Sequence, residues 1–285
     1  MLLKIEKYFK AILPQKIKDA IKIFLPSSLY SKVTPLDIEL TRISKEPRYE
    51  TGYTNILGKQ VKYIDAPSFR FMYDEIFNKE IYHIRTKRQE PFILDCGANV
   101  GLSVIYLKRL LPSATIIAFE PDEKAYDALN FNVASLNLEN ITTVKKAVWD
   151  CEETVEFYAE GADAGRISVG MEKEASISSV ETVRLKDYLE NKKIDFLKID
   201  IEGAEYKVLK DCGDLLTNVE NIFIEYHSFE GKEQHLDEIL AILKESGFRY
   251  IVQHIGIFSD QPFLEVKTWD TMDLQLNIFA IKPNE

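Results

Sequence analysis

Apolar and polar positions follow two different periods along most of this chain. Short apolar runs at 92–95, 115–119, 141–145, 196–200, 222–227, 248–254 and 276–282 read as strands, and the early ones are apolar on both faces, as buried parallel strands are. Stretches at helical spacing separate them, so the chain alternates strand and helix from residue 92 onward. This order predicts an α/β fold: a doubly wound, mostly parallel seven-stranded sheet with helices on both faces. The pieces 154–160 and 180–185 alternate with period two and predict an inserted hairpin or edge extension. Between them, 161–177 is rich in Gly, Ala and Ser and predicts a surface loop.

The pattern is different before residue 65. In residues 1–25, Lys4, Lys7, Lys10, Lys16, Lys18 and Lys22 face only Glu6 and Asp19. Ile5, Tyr8, Phe9, Ile12 and Leu13 recur at helical spacing, as do Ile17, Ile21 and Phe24, with Pro14 between the two sets. Two short basic amphipathic helices are expected. Such a segment either lies on an anionic membrane surface as a peripheral contact or packs against the rest of the chain or within a homodimer. Pro26, Pro35, Pro47, Gly52 and Gly58 punctuate the next stretch, 59–64 alternates like an edge strand, and 69–85 reads as a helix and connector. The expected division is therefore an N-terminal helical extension and connector over 1–64 and a main domain over 65–285.

Composition narrows the function classes. The chain has 285 residues, 46% hydrophobic and 29% charged, ordinary values for a soluble globular protein. A net charge of −10 argues against a nucleic-acid partner, which needs a basic footprint. Cys96, Cys151 and Cys212 show no C-x-x-C spacing and fit a reducing, cytoplasmic setting. No apolar run approaches the ~20 residues that span a bilayer.

The candidate chemistry sits at the strand ends. Phe92-Ile93-Leu94-Asp95-Cys96-Gly97-Ala98-Asn99-Val100-Gly101 is an apolar run ending in an acid, followed by two glycines four apart and a helical pattern. That is a strand, a tight turn and a helix, with bare backbone for a ligand to approach. Nineteen residues after Gly101, Thr115-Ile116-Ile117-Ala118-Phe119-Glu120-Pro121 puts a second acid, Glu120, where nucleoside-binding sheets hold a ribose diol. A dinucleotide turn needs G-x-G-x-x-G; here Asn99 stands two after Gly97, which argues against a nicotinamide-dependent oxidoreductase. Asp195-Phe196-Leu197-Lys198-Ile199-Asp200-Ile201-Glu202-Gly203-Ala204-Glu205 repeats the strand–acidic turn–helix pattern, and Asn221-Ile222-Phe223-Ile224-Glu225-Tyr226-His227 ends a further strand in Glu and His.

The succession "DCGANVG", "FEP", "LKIDIEGAE", "IEYH" resembles the FkbM family of S-adenosylmethionine-dependent methyltransferases over about residues 75–282. The resemblance implies a class I methyltransferase (Rossmann-like) sheet with an antiparallel last strand. It also implies O-methylation of a sugar hydroxyl in a glycan, nucleotide-sugar or glycosylated product, with a lipid or other non-sugar acceptor as the alternative. Glu80 and Tyr82 stand where the family often carries a Glu-Tyr pair ahead of the first motif. With S-adenosylmethionine as cofactor, Asp95, Gly97 and Gly101 are expected along its methionine part, Asn99 shapes the loop, and Glu120 accepts from both ribose hydroxyls. The adenine is expected near Pro121, Asp122 and Lys146-Ala147-Val148. Asp200 would face the cofactor's amino group or the acceptor.

A sugar hydroxyl needs a base near its oxygen. His227 is the candidate, because its unperturbed pKa near 6.5 suits proton abstraction at neutrality, and Glu225 lies on the same face of the strand to orient it. Lys198, in the middle of an apolar strand, is costly to bury unpaired and predicts an ion pair with Asp200 or Glu225. Glu202 completes the catalytic candidates. Asp200, Glu202, Glu225 and His227 are also an oxygen-rich set able to hold a divalent cation such as magnesium, but the spacing is not diagnostic and no metal ligand is assigned. Phe258, Phe263 and Trp269, in the loop before the last strand, either line an acceptor pocket or pack the loop down.

Overall fold

A computed structural model describes residues 34–158, 166–167, 177–269 and 271–283. The expected helices of 1–25 and most of the loop 161–177 lie outside these residues.

The chain opens with helix α1 (Pro35–Ile43), in which Thr34 and Asp37 cap each other reciprocally. A small antiparallel hairpin of β1 (Gly52–Thr54) and β2 (Val61–Tyr63) follows, then α2 (Ala66–Tyr73), extended by a π turn over Asp74–Asn78. The alternating body runs β3 (Phe92–Cys96), α3 (Leu102–Leu110), β4 (Thr115–Phe119), α4 (Glu123–Ser135) and β5 (Ile141–Val144). Next come β6 (Ala147–Trp149), β7 (Thr154–Tyr158), β8 (Arg166–Ile167), β9 (Ile177–Arg184) and the short α5 (Leu185–Leu189). The chain closes with β10 (Phe196–Ile199), α6 (Glu205–Cys212), β11 (Asn221–Phe229), α7 (Leu236–Glu245), β12 (Arg249–Ile255) and β13 (Met272–Ile281).

Seven strands form the main sheet in the order β12-β13-β11-β10-β3-β4-β5. All neighbours are parallel except at β13, which inserts antiparallel between β12 and β11. This is the expected doubly wound sheet with an antiparallel last strand. β6–β9 form a separate four-stranded sheet in which β7 pairs antiparallel with β9, the inserted hairpin the alternation predicts.

The chain winds outward from β3 through β4 to β5, then returns to lay β10 on the other side of β3. The crevice at the carboxyl ends of β3 and β10 is therefore the topological switch point, where open α/β sheets bind ligands.

The period-two alternation of each strand divides the core between the two faces of the sheet. Ile93, Ile116, Phe196 and Phe223 pack on one side under α2, α3 and α4. Leu94, Cys96, Leu197, Ile199 and Ile224 pack on the other with α5, α6 and α7. Leu40, Ile43, Leu57, Val61 and Tyr63 share the first cluster. None of the described helices is long and apolar enough to cross a membrane.

Candidate active site

One cavity of about 420 Å³ opens over the carboxyl ends of the strands. The strand order sets its layout. Glu120, just past β4, stands at one end; Gly97 and Asp200, just past β3 and β10, and Glu225 of β11 lie in the middle; Ile255 at the end of β12, Ile257 and Trp269 in the loop after it, and Met272 at the start of β13 close the other end.

The turn after β3 is held by backbone. The amides of Gly97 and Ala98 donate to the Phe119 carbonyl at 3.0 and 2.9 Å, and Gly97 and Asn99 take positive φ of 83° and 49°. A Cβ on Gly97 would stand 1.8 Å from the Asp200 carbonyl oxygen. The glycine is therefore required by the neighbouring turn, where sequence reasoning reserved the space for a ligand. Glu120 is buried and fixed at both oxygens, accepting from the Asn99 amide at 2.8 Å and the Asp122 amide at 2.9 Å. Burial pushes its carboxyl up to about 7 against the opposing pull of those two amides.

Below the turn lies a buried ionic trio. Register places Lys198 of β10 directly opposite Asp95 of β3, both pointing to the face that carries Phe196. The Lys198 ammonium donates to the Gly97 carbonyl at 2.7 Å and to Asp200 at 3.1 Å, and stands 3.4 Å from Asp95. Burial alone would strip its proton, but the carboxylates of Asp200 and Asp95 hold it charged, well above the usual lysine range. The predicted Lys198–Asp200 pair is present, with Asp95 as a second partner. Asp95 also accepts from the Ser103 hydroxyl at 2.5 Å. It is fully buried and does not line the cavity; Lys198 and Ser103, its partners, stand between.

A second charged group surrounds His227. Its side chain is fully buried. Nδ1 lies 3.0 Å from Glu205, while Nε2 faces Glu225 at 3.5 Å and Glu202 at 3.6 Å. Burial favours the neutral ring, but Glu202 and Glu205 outweigh it and raise the imidazole pKa well above its ordinary value. Both ring nitrogens are engaged, Nδ1 by Glu205 and Nε2 by Glu202, Glu225 and Gln275, and the residue does not line the cavity. The ring lies behind Glu202 and Glu225, the two of its acidic neighbours that do line the cavity.

Glu202 does line the cavity. It sits in a left-handed turn at φ 55°, followed by Gly203 at φ 99°, which aims its side chain back over β10 and β11. Its Oε2 is buried and has no hydrogen bond among the described residues. Burial pushes its carboxyl well above the usual range despite the imidazolium nearby. Asp200 is raised likewise by burial, with Lys198 opposing.

The remaining expected residues divide cleanly. Asn99, Pro121, Ala147, Tyr82, Lys198 and Glu225 line the cavity. Gly101 does not; it starts α3 at φ 84° and abuts Leu129. Glu80 does not either: its φ of 54° turns it toward the half-exposed His83, at 3.9 Å, while Tyr82 turns inward onto Phe223. Trp269 lines the cavity, whereas Phe258 and Phe263 stand out in solvent. Sequence reasoning missed Glu205 as the partner of His227, although it closes the "IEGAE" segment. It also missed Gln275 and Asn277, which register with His227 and Glu225 across β11 and β13. Asp200, Glu202 and His227 come within reach of a common cation; Glu202 is drawn there by His227, and Asp200 is held by Lys198.

The family model for the methyltransferase FkbM domain matches residues 95–250, more than half of the chain. The chain belongs to the FkbM methyltransferase family. It is 30% identical over 215 residues to methyltransferase sdnD of Sordaria araneosa, covering 63% of this chain and 82% of that one. It is 25% identical over 249 residues to the 31-O-demethyl-FK506 methyltransferase FkbM of Streptomyces tacrolimicus, covering 73% and 93%. Against the 2-O-methyltransferase NoeI of Sinorhizobium fredii it is 27% identical over 175 residues, covering 53% and 69%. As an FkbM-family member the protein is an S-adenosylmethionine-dependent methyltransferase, and the matched span contains the turns after β3, β4 and β10 that line the cavity.

Proposed function

We propose that this protein transfers a methyl group to a hydroxyl, on a sugar or glycosylated product, with Glu202 as the base. The observation that carries this reading is the buried Glu202 Oε2 of the cavity wall, which has no hydrogen bond among the described residues and stands 3.6 Å from the His227 ring. The O-methyltransferase names of two relatives support the choice of oxygen as acceptor. The unpaired Cys96, Cys151 and Cys212 support a cytoplasmic setting.

The donor set fits S-adenosylmethionine. Glu120 offers two backbone-anchored oxygens to a ribose diol, and Phe119 and Val148 offer an apolar slot beside Pro121 and Ala147. The acidic middle suits a sulfonium cation, which supplies the electrophilic methyl carbon when bound. Asp200 and Glu225 then frame the acceptor oxygen, and Glu202 takes its proton. His227 touches no reacting atom. It is a positioning residue, anchored by Glu205 and holding Glu202 and Glu225 as a pair.

The direct test is calorimetry with S-adenosylmethionine followed by mass detection of a +14 Da product in extracts supplied with the cofactor. Failure to bind the cofactor would sink the reading. Affinity should also depend on pH. Glu120 must be ionised to accept from the ribose, and its free-protein pKa is about 7. Binding should therefore weaken, by up to roughly tenfold per unit, as pH falls below about 7, and level off above it. Glu120→Gln should bind about tenfold or more weakly at pH 8, the loss of charged hydrogen bonds, with the pH dependence gone. A pH-independent affinity in the unaltered protein would remove Glu120 from the ribose site.

A further inference from the structure

We infer that the acceptor is a neutral glycoside carrying an apolar aglycone, and not a nucleotide-sugar. This inference rests on the proposed hydroxyl methylation and names its substrate class.

The first argument is charge. Among the described residues, seven acidic side chains line the cavity against three cations, Arg48, Lys146 and Lys198. Each cation already has an acid. Arg48 lies 3.3 Å from Asp65, Lys146 lies 3.0 Å from Glu181, and Lys198 is held between Asp95 and Asp200. Recognition of a diphosphate uses arginine forks, lysines or amides at a helix N-terminus. The lining presents carboxylates instead, so a diphosphate would meet like charge in a desolvated cavity. A neutral head group meets no such penalty, and Glu202, Glu225, Gln275 and Asn277 offer it hydrogen-bonding partners.

The second argument is the wall opposite the cofactor end. Ile255, Ile257, Trp269 and Met272 line the cavity there. The loop that carries Ile257 and Trp269 continues outward with Phe258, Phe263, Leu264 and Val266, which are 67%, 102%, 81% and 58% exposed. Single exposed apolar side chains are ordinary, but this run is continuous with the cavity mouth and marks a surface that is covered during function. An acceptor with its polar end at Glu202 would extend along this loop. Only a molecule with an apolar body gains by doing so.

The test uses the full chain saturated with S-adenosylhomocysteine and titrated with hexyl, octyl and decyl β-glucosides below their micelle concentrations. Glucose and UDP-glucose serve as the comparison ligands. Affinity should rise about two- to fourfold per added methylene. UDP-glucose should bind no better than glucose. Trp269→Ala and Ile257→Ser should flatten the chain-length dependence while leaving the affinity for S-adenosylhomocysteine unchanged. Binding that ignores chain length overturns the inference, as does no binding by any alkyl glucoside, or UDP-glucose binding more tightly than octyl glucoside. Loss of S-adenosylhomocysteine binding in the unaltered protein would instead sink the methyltransferase site on which the inference rests.

Discussion

Replacing Glu202 by glutamine is expected to lower turnover by roughly 10²–10⁴-fold, the usual cost of removing a general base. Affinity for S-adenosylhomocysteine should stay within about twofold, since glutamine keeps the size of the side chain and Glu202 is not assigned to the ribose or adenine. The unaltered enzyme should gain rate with rising pH through an ionisation above the ordinary carboxylate range, because burial holds the Glu202 proton on. Glu202→Gln should erase that limb. His227→Gln should keep it but move it to higher pH, because removing the imidazolium leaves Glu202 facing Glu225 without a cation between them. A merely structural histidine would lower activity without moving the profile. Near-normal turnover in Glu202→Gln would end its assignment as base. Activity abolished by a chelator and restored by magnesium would favour a cation held by Asp200, Glu202 and His227 in its place.

Lys198→Met should be the most damaging single change to stability. Lys198 is the cation that compensates Asp95 and faces Asp200. Breaking a buried pair from one side costs about 3–5 kcal/mol, because the remaining charge is left buried and unpaired. At about 2–4 °C per kcal/mol for a chain of this size, the melting temperature should fall by roughly 6–20 °C. Adding Asp95→Asn should recover part of the loss, since the orphaned charge is removed with its partner. The Gly97 carbonyl also loses its 2.7 Å donor, so the folded fraction should bind cofactor more weakly. A shift below about 1 °C, read by calorimetry, would show that the trio contributes nothing.

The strands of the sheet were legible because they are short apolar runs closed by turn residues, a signal that survives without knowledge of the partners. Glu120 was legible for a similar reason: its place is set by the strand it follows. What stayed hidden is what depends on pairing. That Lys198 faces Asp95 follows from a register between β10 and β3, which no local pattern states. Asp95 was expected at the strand end, but β3 runs on through Cys96, and Asp95 lies buried against Ser103 and Lys198, out of the cavity. His227 was placed on the correct strand, yet its role depends on Glu205, which arrives from the start of α6. Glu80 and Tyr82 are two apart, and an extended chain would point them the same way. The left-handed turn at Glu80 separates them. The edge strand expected at 59–64 is β2, but its partner β1 lies among punctuating residues, and the pairing that sets the hairpin on the core is not a local signal.

The contact between Gly97 and Asp200 has a consequence for how this enzyme can be altered. The turn after β3 and the turn after β10 come from parts of the chain about a hundred residues apart, yet the missing Cβ of one is filled by the carbonyl of the other. They behave as the two halves of a single joint. A chimera that imports one turn from a relative carries half of a matched pair and should lose cofactor affinity even if every ligand-facing residue is kept. Importing both turns together keeps the joint intact. Loops meant to redirect the acceptor are therefore better exchanged at 256–269, whose side-chain hydrogen bonds among the described residues run within the loop itself, between Lys267 and Ser259 and Asp260.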